Sequence, residues 1–429
     1  MKTLRTFIAI GVVAAALGLS NAHSTQQQVV TEYFRSSIPY VATRSDTVKD
    51  MLWIADITKD DVVYDLGSGD GRIVIAAVRD FGASRAVGVE KKHERVLQSR
   101  QNARKAKVSE RVAFIEGDLY TTDFSLASVV TLFLGHGANI KLRPKIISTL
   151  KPGARIVSHQ FNMGEWKPGK TFTVFRPYLG MYGTMFNPFE NNPHVPDYEG
   201  NESDPFTNDK ILMWVVPAPV AGIWRGKIET ANGPKDCKLT LHQSLSDVTG
   251  TFQYSDKSYQ AKPRVELWGD NIRFNCGNIR FDGHVKKNMI QGTIAVNEQG
   301  KLQESTWQAQ RDKVDLTGIW EWTFPTGLRS VRLHIERRNG DSIATYSDQD
   351  KPVPVSDFYD FGGGFYLTLL IGREGASVKI NEDTGWLIGE GILDNGALKG
   401  TVEFYPYTEM SGTPGKAVIQ DWEPRLIKP

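Results

Sequence analysis

Three acids and one glycine-rich bend are the residues of this sequence best equipped to hold a small polar ligand. The bend is Asp65-Leu66-Gly67-Ser68-Gly69-Asp70-Gly71, set between a β-branched apolar run and an apolar-rich helix pattern. Glycines at such a turn let the main chain approach a ligand closely, and the helix that follows offers unpaired N–H groups. Glu90 closes a second apolar run in Gly88-Val89-Glu90, and Asp118 follows a third in Glu116-Gly117-Asp118-Leu119. Carboxylates at strand ends accept from N–H and O–H donors, so the chemistry is that of a polar ligand. A dinucleotide fingerprint would need glycine where Arg72 stands, and no Gly-x-x-x-x-Gly-Lys-Ser/Thr loop is present for a triphosphate.

Positioning these residues requires alternating strands and helices. Val62 to Leu66 reads as a buried parallel strand, Ile73 to Phe81 as a helix, Ala86 to Val89 as a strand and Glu94 to Ala106 as a charged helix. Strands at Val112 to Ile115 and Val129 to Leu134, a helix at Leu142 to Leu150, and strands at Arg155 to His159 and Ile211 to Val216 continue the pattern. Ahead of them Val48, Met51, Leu52 and Ala55 mark an amphipathic helix ending near Asp56. Such βα alternation predicts an α/β domain over 29–217 with a doubly wound, mainly parallel sheet. Between Gly164 and Asp209 the pattern gives way to Gly, Pro, Asn and aromatics (Tyr178, Tyr182, Phe186, Phe189, Tyr198), which fits either a substrate-covering lid or packing against the sheet.

Beyond Pro217-Ala218-Pro219 helical periodicity stops. Gly222-Ile223-Trp224 and Gly318-Ile319-Trp320 each open a series of short alternating strands. Each series has a late Gly-Thr strand (Gly292 to Ala295; Gly400 to Phe404) and a Trp-bearing terminal strand (Trp307 to Gln310; Trp422 to Leu426). Two small antiparallel all-β repeats, barrel- or sandwich-like, are expected over 220–311 and 316–427. Trp224 and Trp320 read as core plugs or as ligand platforms, and the repeats carry no catalytic motif, which points to binding or scaffolding.

The chain has 429 residues, enough for two or three domains, and 51 Lys plus Arg nearly cancel 49 Asp plus Glu. The basic residues from Arg95 to Arg111 alternate with Glu94, Gln98, Gln101 and Glu110, a solvated helix face rather than a nucleic-acid footprint. Lys2 and Arg5, the apolar run Phe7 to Leu19 and Ser20-Asn21-Ala22 read as a signal peptide over 1–22, hence export to a periplasmic or envelope location. An uncleaved membrane anchor is the alternative, and the one route to membrane contact. Cys237 and Cys276 are compatible with a disulfide or with two free thiols; without nearby His pairs they do not make a metal site.

The segment Asp65-Leu66-Gly67-Ser68-Gly69-Asp70-Gly71, with Glu90 and Asp118, resembles the cofactor motifs of class I S-adenosylmethionine-dependent methyltransferases. Pro39-Tyr40-Val41-x-Thr43, Arg72-Ile73-Val74, Leu142-Arg143-Pro144-Lys145, Leu150 to His159 and Trp166-x-Pro168 narrow the resemblance. They look like the lysine methyltransferases of the ATP synthase c subunit and the adenine nucleotide translocase, with their bacterial relatives. This resemblance implies a seven-stranded-type methyltransferase sheet and S-adenosylmethionine as cofactor. It implies Asp65 on the ammonium, Glu90 on the ribose hydroxyls, and Asp118 with Leu119 at the adenine. Gly67, Ser68, Gly69 and Gly71 would form the backbone cradle, while Tyr40 and Thr43 line the methionine end or cap the first helix. At Leu134-Gly135-His136-Gly137 the sequence departs from the family, where an apolar, proline-bearing segment is usual.

Methyl transfer to an amine needs an aligned, deprotonated nucleophile and exclusion of water. Phe133, His136, His159 and Trp166 follow the fourth and fifth strands, at the edge where such sheets place substrates, and are the catalytic candidates. Either histidine could accept a proton or be structural. The expected activity is protein-lysine N-methylation. The alternatives are a small-molecule methyltransferase and a non-catalytic exported binding protein acting through its β repeats.

Overall fold

The computed structural model describes residues 41–175, 208–229 and most of 233–428. The segment 1–22, Tyr40 and the aromatics Tyr178, Tyr182, Phe186, Phe189 and Tyr198 lie outside the described residues. In chain order the first domain contains α1 (Ser45–Ile54), β1 (Val62–Leu66), α2 (Arg72–Arg79), β2 (Arg85–Glu90), α3 (His93–Lys105) and β3 (Val112–Glu116). It continues with β4 (Val129–Leu132), α4 (His136–Thr149), β5 (Arg155–His159), β6 (Lys170–Phe175) and β7 (Asn208–Val215).

These strands make one sheet ordered β3-β2-β1-β4-β5-β7-β6. β1 to β5 pair in parallel, and β7 runs antiparallel to both β5 and β6. Parallel strands need both faces covered, which is why β1 reads as a nearly unbroken apolar run. One face buries Val63, Val129 and Val157 under Met51 and Leu52 of α1, Ile73 and Val74 of α2 and Val96 of α3. The other buries Leu66, Leu132 and Ile156 under Ile140, Leu142 and Ile146 of α4. Trp166 and Trp214 join that second cluster, as do Leu245 and Tyr405 from the β region. Antiparallel strands therefore help to cover a face that helices cover elsewhere in the sheet.

Three local expectations are corrected. α4 starts at His136, not at Leu142, because Gly135 at φ +95° turns the chain out of β4 straight into the helix. Pro144, a residue suited to a first turn, thus sits in the interior. The irregular stretch expected from Gly164 contains β6, whose Thr-Phe-Thr-Val alternation suits an edge strand. The strand expected from Trp422 to Leu426 is divided between two sheets, Val418–Trp422 and Arg425–Lys428, with Pro424, which has no N–H to donate, between them.

The β region begins with a nine-stranded antiparallel sheet over residues 222–311. Val248 bridges to Val265 beside the opposite edge strand, so this sheet is a nearly closed barrel. Residues 318–428 form two five-stranded sheets and a two-stranded one. Trp224 and Trp320 are both buried, and each indole N–H donates to a carbonyl four residues earlier, on Val220 (2.8 Å) and Leu316 (2.9 Å). Cys237 and Cys276 are buried free thiols, and burial pushes each up to about 11.

A buried ion pair joins the two regions. Arg143 of α4 donates to Glu403 Oε2 at 2.8 Å and to the Met163 carbonyl at 3.0 Å, and the Tyr405 hydroxyl reaches the same Glu403 oxygen at 2.5 Å. Trp166 Nε1 donates to Ser246 Oγ at 2.8 Å across the same junction. Among the described residues no helix is long and apolar enough to cross a membrane.

Candidate active site

The glycine bend leaves β1 and folds back over β2. Gly67, Gly69 and Gly71 all have positive φ (+88°, +54°, +82°), and the Gly67 and Ser68 N–H groups donate to the Val89 carbonyl at 2.8 and 3.0 Å. A Cβ at Gly67 would lie 2.6 Å from Leu134 Cδ2, and one at Gly71 2.6 Å from the Phe114 ring. Gly88 of β2 leaves room for Ser68, whose hydroxyl would be 2.5 Å from a Cβ there. Ser68 is thus packed onto β2, and its hydroxyl is a buried group without a hydrogen-bond partner among the described residues.

Asp65 is almost fully buried and accepts from Thr131 Oγ1 of β4 at 2.8 Å. Burial pushes its carboxyl up to about 7, against the pull of the Thr131 hydrogen bond and with the help of the Asp70 and Glu90 carboxylates. A carboxyl so placed is stabilised as the anion by a cation laid against it. The ammonium of S-adenosylmethionine is such a cation. Glu90 is also buried and is held at both oxygens, by the Gly69 N–H at 3.1 Å and the Lys92 N–H at 2.8 Å. Each oxygen keeps a further lone pair for a hydroxyl. Asp118 is half-buried. Its Oδ1 accepts from the Tyr120 N–H at 2.9 Å, Lys91 Nζ stands 3.7 Å from Oδ2, and Leu119 packs against the core. Because β3, β2 and β1 are neighbours, the three acids lie in the order Asp118, Glu90, Asp65 along one edge, about 5 Å per strand. An acidic row beside a glycine-rich bend fits a ligand with a base, a diol and an ammonium in that sequence.

Two positioning residues were not legible as such. Asp70 takes a bidentate bond from Arg72, whose Nη1 donates to the Thr43 carbonyl at 2.8 Å. Arg72 thereby ties the segment before α1 to the glycine bend, with Thr43 buried beneath it. The Asp-x-Arg spacing was visible in the sequence, but its third partner was 29 residues away.

Past β4 and β5, Phe133, His136 and His159 form an aromatic cluster through Phe161. The Phe133 and His159 rings are 4.2 Å apart, Phe133 and Phe161 5.8 Å, and His136 meets Phe161 edge-on at 5.2 Å. His136 Nδ1 pairs with Asn162 at 2.9 Å. His159 Nε2 faces Asp209 of β7 at 3.1 Å. Trp166 is not brought to this cluster. It lies on the opposite face of the sheet, fully buried, with its backbone carbonyl accepting from Trp214 Nε1 at 2.7 Å. Among the described residues no three His, Cys, Asp or Glu side chains are grouped to hold a metal ion.

Residues 65–170 match the model of the ANTKMT methyltransferase domain family. A protein-lysine N-methyltransferase of Saccharolobus islandicus is 44% identical over 137 residues, 32% of this chain and 85% of that protein. The lysine N-methyltransferase of the ATP synthase c subunit from Xenopus laevis is 31% identical over 180 residues, 41% of this chain and 78% of the relative. Among solved structures, an RNA methyltransferase from Salinibacter ruber in complex with S-adenosyl-L-homocysteine is 39% identical, with a TM-score of 0.33, covering 42% of this chain and 96% of that one. With the acidic row and the relatives in agreement, this chain is an S-adenosylmethionine-dependent methyltransferase and belongs to the family of the ATP synthase c subunit and adenine nucleotide translocase lysine methyltransferases.

Proposed function

We propose that the methyl acceptor is a lysine side chain of a protein. What carries this reading is the layout of the sheet edge: acids at or just past the ends of β3, β2 and β1, then an aromatic cluster at or just past the ends of β4 and β5, where an acceptor would enter. The names of the Saccharolobus and Xenopus relatives support it. When bound, the cofactor supplies an electrophilic methyl group on a sulfonium. Asp65 would hold its ammonium, Glu90 its ribose hydroxyls, and Asp118 with Leu119 its adenine. Tyr40, Thr43, Gly67, Ser68, Gly69 and Gly71 would shape the methionine end. Phe133 and Phe161 would line a slot that excludes water and favours the neutral amine.

The N-terminal segment 1–22 is proposed to export the chain, with membrane anchoring as the alternative. The two β units are proposed to be an internal duplication that contacts partners in that compartment. The matched Trp224 and Trp320 bonds support that duplication.

The test supplies methyl-tritiated S-adenosylmethionine and separate pools of envelope protein and RNA to the chain lacking 1–22. Label recovered as methyl-lysine is expected; label confined to RNA or to small molecules would overturn the lysine reading. Calorimetry with the cofactor alone reads the binding site apart from the acceptor. A fusion of residues 1–30 to a reporter active outside the cytoplasm tests location.

A further inference from the structure

We infer that Asp209 and Thr47 form a relay that orients His159 as the proton acceptor for the incoming ammonium, an inference that rests on the lysine reading above. Three elements meet at this point. Asp209, at the start of β7, is almost fully buried and presents Oδ1 to His159 Nε2 at 3.1 Å. Its other oxygen accepts from Thr47 Oγ1 of α1 at 2.5 Å, and Gln160 Nε2 lies 3.5 Å from Oδ1. Thr47 is in turn met by Asp46, whose Oδ1 accepts from the Thr47 N–H at 2.8 Å, and Asp46 pairs with Arg44 at the surface. Asp209, Asp46 and Arg44 are thus charged groups behind the ring among the described residues. Its face is covered by the uncharged Phe133.

A carboxylate at Nε2 selects the tautomer with hydrogen on that nitrogen, which leaves Nδ1 with its lone pair. Nδ1 is buried and has no hydrogen-bond partner among the described residues. An acceptor left unsatisfied inside a protein is costly, so its persistence calls for a donor that arrives with a ligand. The strand register says where. Asp65 pairs with Thr131, Thr131 pairs with Val157, and His159 is the next residue on the same face of β5. His159 therefore stands two strands from the proposed ammonium site and one pleat nearer the strand ends, about 10 Å across the sheet.

The step is a proton transfer. The N–H bond of the substrate ammonium breaks, its electron pair stays on the amine nitrogen, and an Nδ1–H bond forms. The imidazolium that results is stabilised by the Asp209 carboxylate, and its proton leaves to solvent after turnover. Asp209 and Thr47 are positioning residues, since they touch the ring or its partner and not the substrate.

The test uses the full chain lacking 1–22, with the labelled envelope-protein pool as acceptor. Nitrogen-15 NMR of the imidazoles is expected to show the neutral His159 ring with hydrogen on Nε2 and a bare Nδ1, and Asp209→Asn is expected to erase that preference. His159→Asn should lower kcat about 100-fold or more and change the shape of its pH profile, at unchanged cofactor Kd. Asp209→Asn should lower kcat at least tenfold with an altered pH profile, Asp209→Glu should recover part of the loss, and Thr47→Val should give a smaller one. Methyl-lysine formed by the wild type with an identical pH profile in His159→Asn and Asp209→Asn would overturn the relay while leaving the lysine reading intact. Wild type that labels no lysine would overturn the reading itself, and a proton found on Nδ1 would overturn the relay regardless of acceptor.

Discussion

The first sheet and the antiparallel region place their polar residues by different rules. In the sheet, β1 to β5 run the same way, so every carboxyl end and the loop after it open on one edge. Asp65, Glu90, Asp118, Phe133 and His159 all belong to that edge. In the antiparallel region successive strands reverse, no edge collects equivalent ends, and the interior is filled by rings such as Trp224, Phe252, Phe274, Phe281 and Trp307. Strand direction, more than composition, thus decides which half of the molecule can concentrate chemistry. The two halves meet at Arg143 and Glu403, where an ion pair is shut away from water.

The sharpest way to break the comparison is at that junction. Arg143→Ala strands the Glu403 carboxylate in a buried site and is expected to cost about 3–5 kcal/mol in chemical denaturation. A loss under about 1 kcal/mol would mean the halves are independent of this contact. Replacing both partners by apolar residues of similar size should recover most of the loss.

Next in size is the division of labour itself. Glu90→Ala should weaken cofactor binding by about 1.5–3 kcal/mol in calorimetry, through lost charge-assisted bonds, and unchanged affinity would remove Glu90 from the ribose. The same measurement on Trp320→Phe should show no change.

Asp65 gives a pH signature that no residue of the β region should share. Its folded carboxyl lies near 7, above the ordinary value of 3.8, so the folded state without cofactor binds more protons than the unfolded one between those limits. Stability from this group is full below about pH 4 and is lost as pH rises towards 7, with a slope approaching about 1.4 kcal/mol per pH unit at the steepest. Cofactor affinity should move the other way between about pH 5 and 7, because the ammonium favours the anion. Asp65→Asn should flatten both trends.

The smallest effect tests the likeness within the β region. Trp224→Phe and Trp320→Phe each remove one buried indole bond to a carbonyl and should each cost about 1 kcal/mol. Clearly unequal costs would argue against equivalent positions.

Much of the sheet edge that carries the acids was legible before any fold was known. The acids and glycines stand next to the strands that carry them, so a β-branched run followed by Gly67-Ser68-Gly69 announces both the element and its ligand-facing end. Strands in the β region were legible through alternation and the repeated Gly-Ile-Trp. Less legible were α4, whose start hangs on Gly135 at positive φ, and β6, a short edge strand in polar surroundings. Trp166 shows how proximity in sequence misleads, since a residue seven past His159 crosses to the other face of the sheet.

Sequence alone determined the βα alternation, the placing of Asp65, Glu90 and Asp118 at strand ends and the family, because these follow from local motifs and from strand and helix periods. Only the tertiary structure decided the partners: Thr131 on Asp65, Asp209 and Thr47 behind His159, and Glu403 on Arg143. Those pairs lie 66, 50, 162 and 260 residues apart. No local pattern encodes such contacts, since they arise where independently formed strands and helices are brought together by burial of their apolar faces.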